Sequence, residues 1–287
     1  MPVITLNTDF GEQDFLVGAM KGQLVSKLPG CQFVDITHQL PRSNYMQAGY
    51  MCAHAFQYYP PQSIHLVLVN FFDSSSNRFL VTKVGSQWII CPDNGILLFL
   101  VPQLEEDVYC FDYDRGLSML EITASMLNSI QNWVIAMGHP KDFFSVCKDF
   151  ISQNPLRPTS GSDWIDCHVI YVDKFENVVV NLQKEEFERV RQGRAFRIDF
   201  HKAENLTTIS HNYSEVDLHS TLAWFNSAGY LEIAINGGNM AGLFGLQGYD
   251  QKKEEAIKKY IQPDAKKRDS SSGQQDYIYT KVRIFFS

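Results

Sequence analysis

A short β-prone run, Val3 to Thr8, ends in Asp9-Phe10-Gly11. That order sets a carboxylate at what should be the carboxyl end of a buried strand, the edge where open α/β sheets collect ligands. A carboxylate there can accept the protons of two neighbouring hydroxyls, as on a ribose. Aspartate before glycine is also a common helix N-cap or turn residue. In the second half of the chain Asp173, Phe175 and Asn177 stand close together, with Tyr213 and Ser227 further on. Asp173 and Asn177 read as turn residues and Phe175 as a core anchor. His38 and His65 each stand alone beside a strand and read as hydrogen-bonded structural residues. No His, Cys and carboxylate cluster has metal-ligand spacing, so no metal is expected.

These residues need a scaffold. After Asp9-Phe10-Gly11, Phe15, Ala19, Leu24 and Leu28 keep helical spacing until Pro29-Gly30 stops it. Phe33 to Ile36 reads as a second strand, Met46 to Tyr58 as a second helix and Ile64 to Val69 as a third strand. The order βαβαβ predicts a largely parallel sheet covered by helices. Phe79 to Val84 and Trp88 to Cys91 read as a hairpin, Pro92-Asp-Asn-Gly95 as a turn before a short helix, and Ser125 to Met137 as a further helix.

Residues 1–152 are therefore expected to form an α/β domain, 153–166, rich in Pro, Ser and Gly, a linker, and 167–287 a smaller all-β, barrel-like domain. Its strands are expected at Asp166 to Val172, Val178 to Leu182, Ala195 to Phe200, Tyr230 to Ile235 and Tyr277 to Phe286, with a mobile loop at Asp269 to Gly273.

At 287 residues the chain has room for two cores, and 45% hydrophobic with 20% charged residues is ordinary for a compact globular protein. The net charge of −7 and the absence of a basic stripe argue against a nucleic-acid partner. The longest apolar runs, Ile64 to Val69 and Gly95 to Val101, fall far short of the roughly 20 residues of a membrane span. With six scattered cysteines, no CxxC pair and no basic-then-apolar leader, reduced thiols and a cytoplasmic location are expected.

Four segments, in order, resemble one family, the S-adenosyl-L-methionine (AdoMet) hydroxide adenosyltransferases with their fluorinase and chlorinase relatives. They are Thr8-Asp-Phe-Gly11 with Val17-Gly-Ala-Met-Lys-Gly22; Val34-Asp-Ile-Thr-His38 followed by Tyr59-Pro-Pro61; Pro92-Asp-Asn-Gly95; and Val172-Asp-Lys-Phe-Glu-Asn177 with Asn226-Ser-Ala-Gly-Tyr-Leu-Glu-Ile-Ala-Ile-Asn236. The resemblance implies that AdoMet or adenosine is the ligand, with no cofactor besides. It implies that Asp9 and Phe10 meet the nucleoside, and that Asp173, Phe175, Asn177, Tyr213 and Ser227 meet the methionine or adenine part. It also implies a homotrimer whose pockets join one subunit's first domain to its neighbour's second.

The implied activity is hydrolysis of AdoMet to adenosine and methionine by attack of water at the ribose 5′ carbon. In the hydrolases an aspartate, an arginine and a histidine help the water. Here their places fall on Asn70, on Asn77 with Arg78 adjacent, and on Thr123, and the intervening loop lacks the family's glycines. Asp73 in that loop is a candidate substitute. An altered, weakened hydrolase is therefore expected; the alternatives are a non-catalytic AdoMet or adenosine binder and, less so, a halogenase.

Overall fold

The computed structural model describes residues 2–72, 74–202, 204–246, 248 and 279–287. Asp73, the expected loop at 269–273 and the start of the last expected strand lie outside the described residues. The chain divides into two compact units, Met1–Pro155 and Leu156–Ser287.

In the first unit β1 (Val3–Thr8), α1 (Leu16–Lys27), β2 (Gln32–Thr37), α2 (Tyr45–Phe56) and β3 (Ile64–Leu68) follow one another as expected. The antiparallel hairpin β4 (Arg78–Val84) and β5 (Gln87–Pro92) comes next. It is followed by α3 (Leu97–Leu100), β6 (Tyr109–Asp112), α4 (Met119–Ala136) and β7 (Ser145–Val146). The seven strands form one sheet in the order β2-β1-β3-β5-β4-β6-β7. Pairing is parallel from β2 through β5 and antiparallel beyond, so the sheet is mixed.

Alternation along β3 explains why the sheet is covered on both faces. Leu66 and Leu68 point into a core with Met20 and Leu24 of α1 and Ile122, Met126 and Ile130 of α4. Val67 and Val69 point into a second core with Ala48 and Cys52 of α2 and Leu97 and Leu100 of α3. All of these side chains are fully buried or nearly so, and such burial is the main favourable term in folding.

The second unit holds β8 (Thr159–Ser160), β9 (Trp164–Val172), β10 (Val178–Gln183), α5 (Lys184–Arg191), β11 (Phe196–His201), β12 (Glu204–Leu206), β13 (Thr221–Phe225), β14 (Tyr230–Ile235), α6 (Met240–Phe244) and β15 (Lys281–Phe286). Its sheet is antiparallel throughout, in the order β12-β11-β15-β9-β10-β14-β13, with β8 on β9. The outer strands come together, with a bridge from Ser210 to Trp224, so the sheet nearly closes into a barrel.

Two features depart from the sequence reading. The 153–166 segment, expected as a linker, supplies β8 and the start of β9. The second unit also contains α5, where only strands were expected. Phe187 and Val190 of α5 pack into the barrel core, Glu185 and Glu186 sit in its first turn and Arg189 and Arg191 in its last. That charge order complements the helix dipole.

His65 of β3 is buried with no exposed surface, stacks on Phe56 at 3.8 Å between ring centroids, and bonds Thr5 Oγ1 (2.8 Å) and Gln87 Oε1 (3.2 Å). It is structural, as expected. Burial pushes its imidazole down to about 4, against a smaller opposing effect of the Gln87 bond. Between pH 6.5 and 4 the unfolded chain therefore binds a proton that the folded chain refuses, and stability must fall as pH falls through that window. We expect a loss of about 3 kcal/mol from this group. Urea unfolding from pH 7 to pH 4 should show a shallower decline for His65→Gln than for the wild type.

Candidate functional site

Strand order places β1 between β2 and β3, so the connections after β1 and β2 carry the chain to opposite sides of β1. The crevice beyond the carboxyl ends of β1 and β3 is a topological switch point, where doubly wound sheets bind ligands. Thr8, the last residue of β1, lies in register with Leu68, the last of β3. Asp9 and Asn70 follow directly.

The turn carrying Asp9 is fixed from several directions. Thr8 Oγ1 accepts from the Phe10 N–H (3.3 Å) and pairs with His38 Nδ1 (2.9 Å). His38 is buried, its Nε2 lies 3.1 Å from Asp35 Oδ1 without hydrogen-bond alignment, and Asp35 pairs with Lys21. Gly11, at φ +77°, donates its N–H to His38 O at 2.7 Å, a backbone conformation that side chains other than glycine's resist. Phe10 packs edge-on against Phe71 at 6.0 Å.

Asn70 adopts φ +51°, which asparagine tolerates better than most residues. Its N–H donates to Asp9 Oδ2 (3.0 Å), its Oδ1 accepts from Arg42 Nε (2.9 Å) and its Nδ2 donates to the Tyr45 hydroxyl (3.2 Å). Asn94 of the Pro92–Gly95 turn donates to the carbonyls of Val69 (2.8 Å) and Asn70 (3.2 Å), pinning the end of β3. Asp9, Asn70, Arg42 and Tyr45 thus form one cluster.

Of the other expected catalytic positions among the described residues, Asn77, Arg78 and Thr123 hydrogen-bond to groups other than Asn70. Asn77 donates to Tyr113 O at 3.1 Å. Arg78 is committed to Asp93, whose side chain is fully buried. Arg78 Nη2 lies 2.6 Å and Nε 3.2 Å from Asp93 Oδ2, and Nη2 also donates to Asp149 O. The hydrogen bond to Asp93 raises the guanidinium above its ordinary range. Thr123 is buried one turn inside α4 and donates to Gln23 of α1 at 2.7 Å. Two residues before α4 reach the loop after β3: Tyr113 donates to Phe71 O (2.8 Å) and Arg115 to Ser74 O (2.5 Å).

In the second unit a chain of hydrogen bonds joins most of the expected residues. Asp173 Oδ1 accepts from the N–H groups of Phe175 and Asn177 (both 2.8 Å), and Oδ2 accepts from Asn177 Nδ2 (3.1 Å). Asn177 Nδ2 also donates to the Tyr213 hydroxyl (2.9 Å), which donates to Glu232 Oε1 (2.7 Å). Phe175 is 64% exposed, so it is not a core anchor within this unit. Ser227 is exposed at the tip of the Asn226–Tyr230 turn and joins none of these bonds.

Sequence reasoning missed Arg42, Tyr45, Asp93, Arg115 and Glu232. Only Glu232 carried a usable signal, an acid in the middle of the apolar run Tyr230 to Ile235. Among the described residues no group of three His, Cys, Asp or Glu could hold a metal ion, and no helix is long and apolar enough to cross a membrane.

The chain is thus a two-unit protein: an α/β sheet with a carboxylate at its switch point, followed by a nearly closed antiparallel barrel. Residues 4–144 match the SAM hydroxide adenosyltransferase N-terminal domain and residues 167–253 the C-terminal domain of the same family. The chain belongs to the SAM hydroxide adenosyltransferase family. Two relatives are named (R)-S-adenosyl-L-methionine hydrolase. That of Methanocaldococcus jannaschii is 25% identical over 198 residues, 65% of this chain and 69% of its own length. That of Salinispora tropica is 23% identical over 273 residues, 87% and 96%. Among solved structures, an uncharacterized conserved protein from Thermotoga maritima superposes with a TM-score of 0.72 at 19% identity, covering 99% of this chain and 100% of that one. A conserved hypothetical protein from Thermus thermophilus gives 0.66 at 22%, covering 86% and 97%. Both share the fold.

If Arg78 is an anchor for Asp93 rather than a ligand contact, Arg78→Gln should lower stability by about 2–3 kcal/mol, because it strips charge-assisted bonds from a buried carboxylate. Affinity for adenosine should change less than about threefold, within about 0.6 kcal/mol. Thermal unfolding and calorimetry on the same variant measure the two effects.

Proposed function

We propose that this protein binds AdoMet and hydrolyses it to adenosine and methionine by attack of water at the ribose 5′ carbon, with a weakened water-activating set. The observation that carries the reading is the Asp9 carboxylate at the β1–β3 switch point beside Asn70, in a chain of this family. In this reading Asp9 accepts the ribose hydroxyls and Phe10 borders the nucleoside. Asp173 and Ser227 hold the amino and carboxylate ends of the methionine, Phe175 and Tyr213 pack on the ligand, and Asn177 reads a polar edge. The assembly proposed is a homotrimer, in which Phe175 and Tyr213 reach the ligand from a neighbouring subunit.

AdoMet is a sulfonium, so displacement at the 5′ carbon releases methionine as a neutral thioether that needs no proton. The protein need only hold a water in line, exclude competing solvent and ease removal of a proton. Asn70 orients a water through its dipole but accepts no proton at neutral pH. Asn77, Arg78 and Thr123 are engaged elsewhere. That dispersal favours a second reading, a protein that binds AdoMet or adenosine without turning it over.

Incubating pure protein with AdoMet and following adenosine by chromatography tests turnover. We expect a rate about 10²–10⁴-fold below that of relatives with the full acid–base set. A rate equal to theirs would contradict the assigned role of Asn70.

Asp9→Ala should cost about 1.5–3 kcal/mol of adenosine binding, since two hydroxyls lose a charged acceptor. Unchanged affinity in calorimetry would remove Asp9 from the site.

A further inference from the structure

Glu232 is buried in the middle of β14, 6% exposed, and each of its hydrogen-bond partners is a donor. Tyr213 Oη (2.7 Å) and Trp224 Nε1 (2.9 Å) donate to Oε1, and Asn226 Nδ2 (3.1 Å) donates to Oε2. An ionised carboxylate only accepts. The Tyr213 hydroxyl must therefore commit its proton to Glu232. Burial, then this carboxylate, push the phenol up, which keeps that proton in place.

With its proton pointing at Glu232, the Tyr213 oxygen can only accept on its other side, and there it takes one hydrogen of Asn177 Nδ2 (2.9 Å). The second hydrogen goes to Asp173 Oδ2 (3.1 Å), again an obligate acceptor. Which way an amide faces is ordinarily a choice between look-alike atoms. Here a carboxylate at each end of the chain fixes it. Asn177 has Oδ1 left, and that atom receives no hydrogen bond among the described residues. Phe175, two positions earlier, is 64% exposed within this unit, with Lys174 Nζ 4.8 Å from its ring centroid.

We infer that Glu232 is a specificity-determining positioning residue. Through Tyr213 it locks Asn177 as a hydrogen-bond acceptor, so that a flat ring lying on Phe175 must present an N–H donor, such as an exocyclic amino group, at that edge. The inference rests on the nucleoside reading above and deepens it. A carbonyl in place of the amino group would face Oδ1 with no hydrogen between two acceptors. Sites built around a hydrogen bond reject an analogue lacking its donor far more strongly than they reject a missing methylene.

The test uses calorimetry on the full chain with adenosine and inosine, which differ by an amino group against a carbonyl. The wild type should bind adenosine at least about tenfold more tightly. Asp173→Asn keeps its oxygen on the Phe175 and Asn177 N–H groups and so turns its NH₂ towards Asn177, while Glu232→Leu releases the Tyr213 proton. The chain can then reverse and Asn177 can turn its NH₂ outward, so the adenosine-to-inosine ratio should fall towards one with a rise in inosine affinity, in Asp173→Asn and further in the double variant Asp173→Asn with Glu232→Leu. Misfolding does not raise an affinity, which keeps the result readable if either variant is destabilised. Asn177→Leu should bring adenosine down to the level of inosine. Equal binding of the two nucleosides by the wild type, or an unchanged ratio in both the single and the double variant, would overturn the inference while leaving the nucleoside reading intact. Failure of the wild type to bind adenosine, inosine or AdoMet would overturn both.

Discussion

The hydrogen bond from the Asn70 N–H to Asp9 Oδ2, 3.0 Å long, ties the ends of two parallel strands into one binding edge, and the first unit is arranged to hold it. Parallel register sets Thr8 against Leu68, so the two chains leave the sheet side by side. Each then turns sharply in a left-handed conformation, at Gly11 and at Asn70 itself. Those turns are supported from beneath by His38 under Thr8 and by Asn94 under Val69. Each support fixes where its neighbour, Asp9 or Asn70, can point. A carboxylate is useful in a site only if it does not have to be reorganised when the ligand arrives.

Asp93 does comparable work for the loop after β3. Its buried carboxylate accepts from Arg78, from Ser76 Oγ at 2.8 Å and from the Ile151 N–H at 2.7 Å, while its carbonyl accepts from Ser74 Oγ at 2.6 Å. Leaving such a group unpaired is costly, so Arg78 is held where Asp93 needs it. Arg78, adjacent to a position expected from the resemblance to be catalytic, is thereby drawn to Asp93. Proximity along the chain says where a side chain starts, and the strongest available partner decides where it ends.

The sequence made much of the scaffold legible because its signals are local and periodic. Val3 to Thr8, Ile64 to Val69 and the hairpin about Gly85 all announce themselves by apolar runs between turn residues. The outer edge of the first sheet, β6 and β7, was not legible. β6 and β7 are short, and their pairing with β4 and with each other is a long-range property. α5 was hidden because eight residues give a helical pattern only two apolar positions, Phe187 and Val190. Asp9 was expected because it ends a strand, and Asp173 and Asn177 because they match the family's motif. Arg42 could not, since nothing after Pro41 distinguishes an arginine that reaches Asn70 from one in solvent.

The energetic consequence of Asn70 follows from what each state of the reaction asks of it. In the ground state the ligand needs acceptors for its hydroxyls and surfaces for its flat and apolar parts, and none of that depends on a base. In the transition state one further demand appears, a place for the proton of the attacking water. Replacing a carboxylate by an amide removes only the second, since Oδ1 still accepts a hydrogen bond but takes no proton. Interactions lost only in the transition state lower turnover without weakening binding in proportion. The amide of Asn70 is, moreover, held at both ends by Arg42 and Tyr45. On the proposed hydrolysis, such a site would keep what recognition requires and lack a carboxylate at the position where water would be activated. It would separate affinity from rate, and a tight complex would be no argument for a fast one.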